Sequence, residues 1–240
     1  MPAQGGHPIS FPVPLSTRRK GTTVHETSTD QNPTAGTSGE REPAASRSTR
    51  WRVVDIVVAS VIGVATGLVF LFWNNVGYAW FSAADALTPG LGGIAVGIWL
   101  IGGVLGGLII RKPGAALYVE LLAAIVSALV GNQWGIETIY SGLAQGLGAE
   151  LVFLATGYRR FGVVTAMLAG AAAGAAAWVL ELFLSGNLQK SAEFLVLYFG
   201  TVVVSGAVLA GLLGWIVVRA LAATGALSRF GAGRDVTGRV

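Results

Sequence analysis

Two carboxylates, Glu120 and Glu150, stand inside long apolar stretches of this chain. An acidic side chain at the centre of a bilayer costs about 2.5–3.5 kcal/mol, so it usually faces a neighbouring helix and has a task there. On helical spacing Glu120 shares a face with Ala116, Ala123, Ala124 and Ser127, and Glu150 shares one with Gly146 and Phe153. No basic residue lies in either stretch to neutralise them. An interhelical hydrogen bond and a functional role are both open for each. A second set of residues suits binding. Trp73, Tyr78, Trp80, Trp134, Tyr140, Trp178 and Tyr198 gather towards one side of the apolar region. Asn74, Asn75, Asn132, Gln133, Gln145 and Glu181 fall in the same zone. Trp and Tyr favour membrane interfaces in any case. Combined with amides and a carboxylate, however, they suit a flat, nitrogen-rich ligand, cationic or neutral, through stacking, hydrogen bonds and cation–π attraction.

Other chemistries are excluded. There is no G-x-x-x-x-G-K-[ST] run to cradle nucleotide phosphates and no H-E-x-x-H metal motif. The chain has no cysteine, and its two histidines, His7 and His25, lie in a polar N-terminal segment. No disulfide, thiol or imidazole chemistry is therefore available in the apolar region.

The elements that must position these residues are membrane helices. Hydrophobic residues make up 53% of the 240 positions and charged residues 12%, against roughly 25% charge in a soluble domain. Between Val53 and Val218 there are five basic residues: Arg111, Lys112, Arg159, Arg160 and Lys190. The two dipeptides mark cytoplasmic turns, because short cytoplasmic loops carry the excess of Lys and Arg. The basic residues read as topology determinants and as contacts to anionic head groups, not as a nucleic-acid surface. Helices are expected over about 53–73, 92–110, 113–131, 141–158, 161–184 and 193–219, each near the 20 residues a crossing needs. The first is followed by a loop holding Trp80, Asp85 and Pro89-Gly90. This gives an all-α integral membrane protein, a bundle of six transmembrane helices with both termini cytoplasmic. Residues 1–50 are polar and without period, and are expected to be disordered. Residues 221–240 are expected as a short cytoplasmic tail. Stripes of small residues run along the helices, among them Ala59, Gly63 and Gly67, the Gly93 to Gly107 series, and Gly142, Gly146 and Ala149. Such stripes serve close packing inside a bundle or docking onto another membrane subunit.

Several runs carry a family resemblance. They are Trp51-Arg52-Val53-Val54-Asp55-Ile56-Val57-Val58-Ala59, Gly102-Gly103-Val104-Leu105-Gly106-Gly107 through Arg111-Lys112-Pro113-Gly114-Ala115-Ala116 to Glu120-Leu121, Gly131-Asn132-Gln133-Trp134-Gly135, and Gln145-Gly146-Leu147-Gly148-Ala149-Glu150-Leu151. Together they resemble the YkoE family, substrate-binding S components of energy-coupling factor (ECF) transporters associated with thiamine or its hydroxymethylpyrimidine precursor. The resemblance covers about residues 50–219. It implies a six-helix S component in the bacterial plasma membrane that captures its ligand from outside. Its partners would be a transmembrane coupling subunit and cytoplasmic ATPase subunits. It implies no cofactor and no catalysis by this chain. Ala59, Gly63 and Gly67 would dock the coupling subunit. Trp134 would stack on the pyrimidine, with Asn132, Gln133 and Gln145 meeting its nitrogens and Glu150 bonding the aminopyrimidine or offsetting a thiazolium charge. Tyr140, Trp73 and Trp178 stand behind them, with Glu120 and Glu181 in reserve. A stand-alone proton-coupled transporter using Glu120 and Glu150, an intramembrane enzyme using the same carboxylates, and a non-transport scaffold are the rival readings.

Overall fold

The structure, a computed structural model, describes residues 49–237. The tail expected over residues 1–50 lies almost wholly outside the described residues. Helix α1 spans Val53–Leu87, α2 Leu91–Ile110, α3 Ala115–Val130, α4 Glu137–Ala155, α5 Val163–Leu184, α6 Ala192–Ala223 and the short α7 Gly231–Thr237. By length and composition α1, α2, α5 and α6 can cross a membrane, and α3 is a shorter apolar helix of 16 residues. Helix α2 is the most deeply buried of the four, packed among the others.

The start of α1 is fixed by charge. The backbone N–H of Arg52 donates to Asp55 Oδ2 (2.8 Å), its guanidinium donates to Asp55 Oδ1 (2.8 Å), and Lys112 Nζ donates to Asp55 Oδ2 (2.5 Å). A buried carboxylate is tolerated when it is paired and hydrogen-bonded. Here the pairing ties α1 to the α2–α3 turn, as does the Trp51 indole N–H donating to Pro113 O at 2.9 Å.

Helix α1 corrects the first sequence expectation. It does not stop near Trp73 but continues through Trp80 and Asp85 to Leu87, 35 residues in all. Asn74 and Asn75 stand just past the expected end, and their amides are satisfied without leaving the helix. Asn74 binds across to Trp99 and Ser127, and Asn75 donates back to Leu71 O at 3.1 Å. The break comes at Pro89-Gly90, where Gly90 takes φ +101°. At 1.5 Å per residue α1 is about 52 Å long, well beyond the roughly 30 Å of a hydrocarbon core.

Helix α2 begins with a ten-residue 3-10 segment, Leu91–Leu100. Such a segment has poorer internal hydrogen bonds than an α-helix, and hydroxyls of α6 take up the deficit. Ser205 Oγ accepts from Gly97 N (2.9 Å) and donates to Ile94 O (2.7 Å), while Thr201 Oγ1 donates to Gly90 O (2.8 Å). Helix α4 starts at Glu137, four residues before the expected Ser141, and ends at Ala155. Helix α6 runs to Ala223 and contains a π-helical stretch, Gly206–Leu212, where Gly206 and Gly170 of α5 leave no room for a side chain between them. Part of the expected tail is helical as α7 and is held by a 2.6 Å ion pair between Arg111 and Asp235.

The stripe Ala59, Gly63 and Gly67 is filled by the chain's own α3. Ala59 is fully buried, and a Cβ on Gly63 or Gly67 would come within 2.8 Å of Leu122 Cδ2 or 2.7 Å of Val126 Cβ. The stripe expected to dock the coupling subunit is thus in contact with α3 of this chain. The small residues are there because α1 and α3 approach closely.

Candidate ligand-binding cavity

A cavity of about 340 Å³ opens at the end of the bundle away from Arg111 and Arg159. It is lined by the second half of α1, the 3-10 segment of α2, the end of α3, the start of α4, the end of α5 and the start of α6. Its volume falls in the range of small-molecule sites, about 300–1,000 Å³.

One wall is aromatic. Trp134 meets Tyr78 edge-on (centroids 5.6 Å, 83°) and Trp99 edge-on (5.7 Å, 85°). Tyr78 stacks on Phe81 at 6.1 Å, and Phe81 meets Tyr198 edge-on at 6.2 Å. Edge-on contacts are the favoured arrangement for rings with opposed edge and face charge. They leave ring faces of Trp134 and Trp99 unstacked by one another, as a planar ligand requires.

The polar groups are held in a hydrogen-bonded frame. The Trp99 indole N–H donates to Asn74 Oδ1 (2.8 Å), and Asn74 Nδ2 donates to Ser127 Oγ (3.0 Å). Gln145 forms the floor. With its amide turned to match every neighbour, its nitrogen donates to Trp99 O (3.0 Å) and Glu120 Oε1 (3.2 Å), and its oxygen accepts from Ser141 Oγ (2.6 Å). Glu120, fully buried beneath, also accepts from Gly103 N at 2.5 Å. A buried acid is tolerable with partners of this kind. On the far side the Tyr198 hydroxyl donates to Glu181 Oε2 at 2.6 Å. Asp85, Glu137 and Lys190 add charge to the lining, Lys190 lying over the Phe194 ring at 4.4 Å.

Of the aromatic, amide and acidic residues singled out for binding in the sequence, Asn74, Tyr78, Trp134, Gln145, Glu181 and Tyr198 meet in this cavity. Trp73 stands behind the wall, donating its indole N–H to Ala95 O (2.9 Å) and meeting Trp99 edge-on (6.4 Å). Asn132 shapes the α3–α4 loop: its Oδ1 accepts from Trp134 N (2.9 Å), Gly135 N (2.9 Å) and Thr138 Oγ1 (3.0 Å). It therefore positions Trp134 without lining the cavity. Gln133 and Tyr140 are exposed and do not line it. Trp178 packs on Phe199 outside it (5.0 Å), with a buried indole N–H that meets no acceptor. Glu120 supports the floor through Gln145 but does not line the cavity itself.

Glu150 is elsewhere. Its carboxylate accepts from Gly114 N (2.6 Å), Ala116 N (2.9 Å), Leu117 N (3.3 Å) and the Tyr158 hydroxyl (2.6 Å). It caps the N-terminus of α3, where backbone N–H groups have no partner within the helix and the helix dipole favours a negative charge. Glu150, expected as a ligand contact, does not line this cavity. Trp99 lines the cavity although the sequence did not single it out. Trp99 sits in an unbroken apolar run that reads as buried core, and no sequence signal separates it from that run.

Comparison with known proteins follows the same lines. Residues 54–176 match the family described as ABC-type cobalt transport system, permease component. A provisionally assigned HMP/thiamine permease protein, YkoE of Bacillus subtilis (strain 168), is 40% identical over 190 residues, covering 78% of this chain and 92% of that protein. The chain belongs to the YkoE family. A crystal structure of an S-component of an ECF transporter superposes with a TM-score of 0.68 at 36% identity, covering 79% of this chain and 95% of that one. YkoE-family membership makes this chain a multi-pass membrane protein and a substrate-binding component of a transporter, like its relatives. Among the described residues no group of three or more His, Cys, Asp or Glu could hold a metal ion.

Proposed function

We propose that this chain is the S component of an ECF-type importer in a bacterial plasma membrane. It captures thiamine or its hydroxymethylpyrimidine precursor from outside, for ATP-driven uptake by a transmembrane coupling subunit and ATPase subunits. The observation that carries the reading is the cavity, in which edge-on tryptophans, three amides and a Tyr198–Glu181 pair surround a space for one flat ligand. A free ring face of Trp134 or Trp99 serves to stack an aminopyrimidine ring, and Asn74 and Gln145 supply amide groups to the same cavity. Glu181 gives the site a carboxylate suited to an amino group or a thiazolium.

The topology proposed with it has α3 and α4 as further crossings, so that both described ends of the chain lie on the cytoplasmic side. Arg111, Arg159 and Arg219 converge at one end and the cavity opens at the other, which supports that orientation. Nothing favours Glu120 and Glu150 as a proton-carrying pair. The first lies under the cavity floor, and the second is occupied by four donors at the opposite end.

Tryptophan-fluorescence titration of the purified chain in detergent, without partners, tests the reading. Saturable quenching at sub-micromolar thiamine or hydroxymethylpyrimidine is expected, and a folded chain that answers to neither would end it. Uptake into vesicles that lack any ATPase would move the function to a stand-alone transporter.

A further inference from the structure

The end of the bundle opposite the ligand cavity holds a second cavity, of about 520 Å³, between the α2–α3 turn, the α4–α5 turn, the last turns of α6 and α7. Three guanidiniums line it: Arg111, Arg159 and Arg219. Aromatic faces hold two of them. Arg111 lies over Phe161 at 4.5 Å and Arg219 over Trp215 at 4.9 Å, so both heads are fixed before any anion arrives. Arg111 is further set by donating Nε to Leu108 O at 3.0 Å, from a residue whose backbone turns left-handed at φ +58°. The one carboxylate in the lining is Asp235, which pairs with Arg111 at 2.6 Å and is itself half-exposed. Among the described residues no acid pairs with Arg159 or Arg219.

We propose that this cavity is a binding site for a phosphate group, with Arg111, Arg159 and Arg219 as its donors and Asp235 as the carboxylate that occupies it in the anion's absence. A phosphate brings several strong acceptor oxygens and a charge that a single aspartate cannot match. Guanidinium is the side chain whose planar fork suits it. Basic pockets between membrane helices on the cytoplasmic side are recognised places for anionic lipid head groups. The apolar wall of Leu108 and Val218 and the interfacial Trp215 fit a phospholipid whose head reaches in from the adjacent leaflet. Leu213, Ile216 and Leu221, exposed on the same stretch of α6, offer a path for its acyl chains. A soluble phosphate would use the same three arginines, without the apolar contacts.

Native mass spectrometry of the full chain, titrated with phosphatidylglycerol or phosphatidylcholine, tests this. Phosphatidylglycerol is expected to be retained and phosphatidylcholine to be lost. The double variant R159Q/R219Q should weaken retention about 30-fold, at roughly fivefold per basic residue near a head group. D235N should strengthen it, because the competing carboxylate is gone. Fluorescence titration at the other end provides the control for folding. Equal retention by the native chain and R159Q/R219Q, or no preference between the two lipids, would overturn the site. Competition by millimolar inorganic phosphate identifies the soluble anion as a ligand of the same arginines. Its failure against retained phosphatidylglycerol identifies the lipid.

Discussion

The two ends of this bundle use the same residue types to opposite effect. At the basic end carboxylates are used up. Glu150 is filled by three backbone N–H groups and a tyrosine, and Asp55 by Arg52 and Lys112. At the cavity end the polar groups pair mostly with one another, Asn74 with Trp99, Gln145 with Glu120 and Glu181 with Tyr198, and the frame they make encloses space. What separates a structural carboxylate from a binding one is therefore the state of its partners and not its depth in the membrane. A group saturated by backbone donors has no acceptor capacity left for a ligand, whereas one bonded through a single oxygen does.

The comparison breaks most sharply at Glu150. Glu150→Ala strands N–H donors at the start of α3 and should cost about 3 kcal/mol of stability, while ligand affinity of the folded fraction stays within about twofold. Thermal denaturation with a ligand titration on the same sample checks it, and a selective loss of affinity would return Glu150 to the site. At the other end Trp134→Ala should lose about 1–3 kcal/mol of binding through the missing ring contact, with little change in thermal midpoint. Unchanged affinity would remove the aromatic wall from the argument. Glu181→Gln keeps the shape and removes the charge, so it should weaken thiamine about tenfold, the worth of one charge-assisted bond, and spare hydroxymethylpyrimidine. Equal losses for both would mean that Glu181 acts as an acceptor only. The smallest effect is expected at Asn132→Ala. The loop would lose three bonds that seat Trp134, for about 1 kcal/mol in affinity with a faster ligand off-rate in stopped-flow.

Much of the architecture was legible because membranes impose coarse rules. The ends of α2, α3 and α5 follow from the Arg111-Lys112-Pro113 turn, Gly131 and Gly186, and the structure places them within a residue or two of those signals. The aromatic and amide residues were readable as a zone, but which of them converge was not. Glu150 lay in that reading because its spacing on α4 puts it mid-helix. That it caps α3 depends on backbone N–H groups 33 to 36 positions away, which no local pattern encodes. The stripe of Ala59, Gly63 and Gly67 looked the same for inside and outside packing, since both demand small residues. The expected end of α1 near Trp73 fell short because Asn74, the next residue, has its partners, Trp99 and Ser127, on other helices.

The 3-10 opening of α2 has a mechanical consequence. Its backbone leans on Ser205 and Thr201 of α6 where its own ladder is weak, so the two helices are geared together at Gly97, Ile94 and Gly90. Trp99 rides on that gear two residues past Gly97. A tilt of α6 transmitted from its Trp215 end would turn the tryptophan that a ligand rests on, without any loop having to open or close.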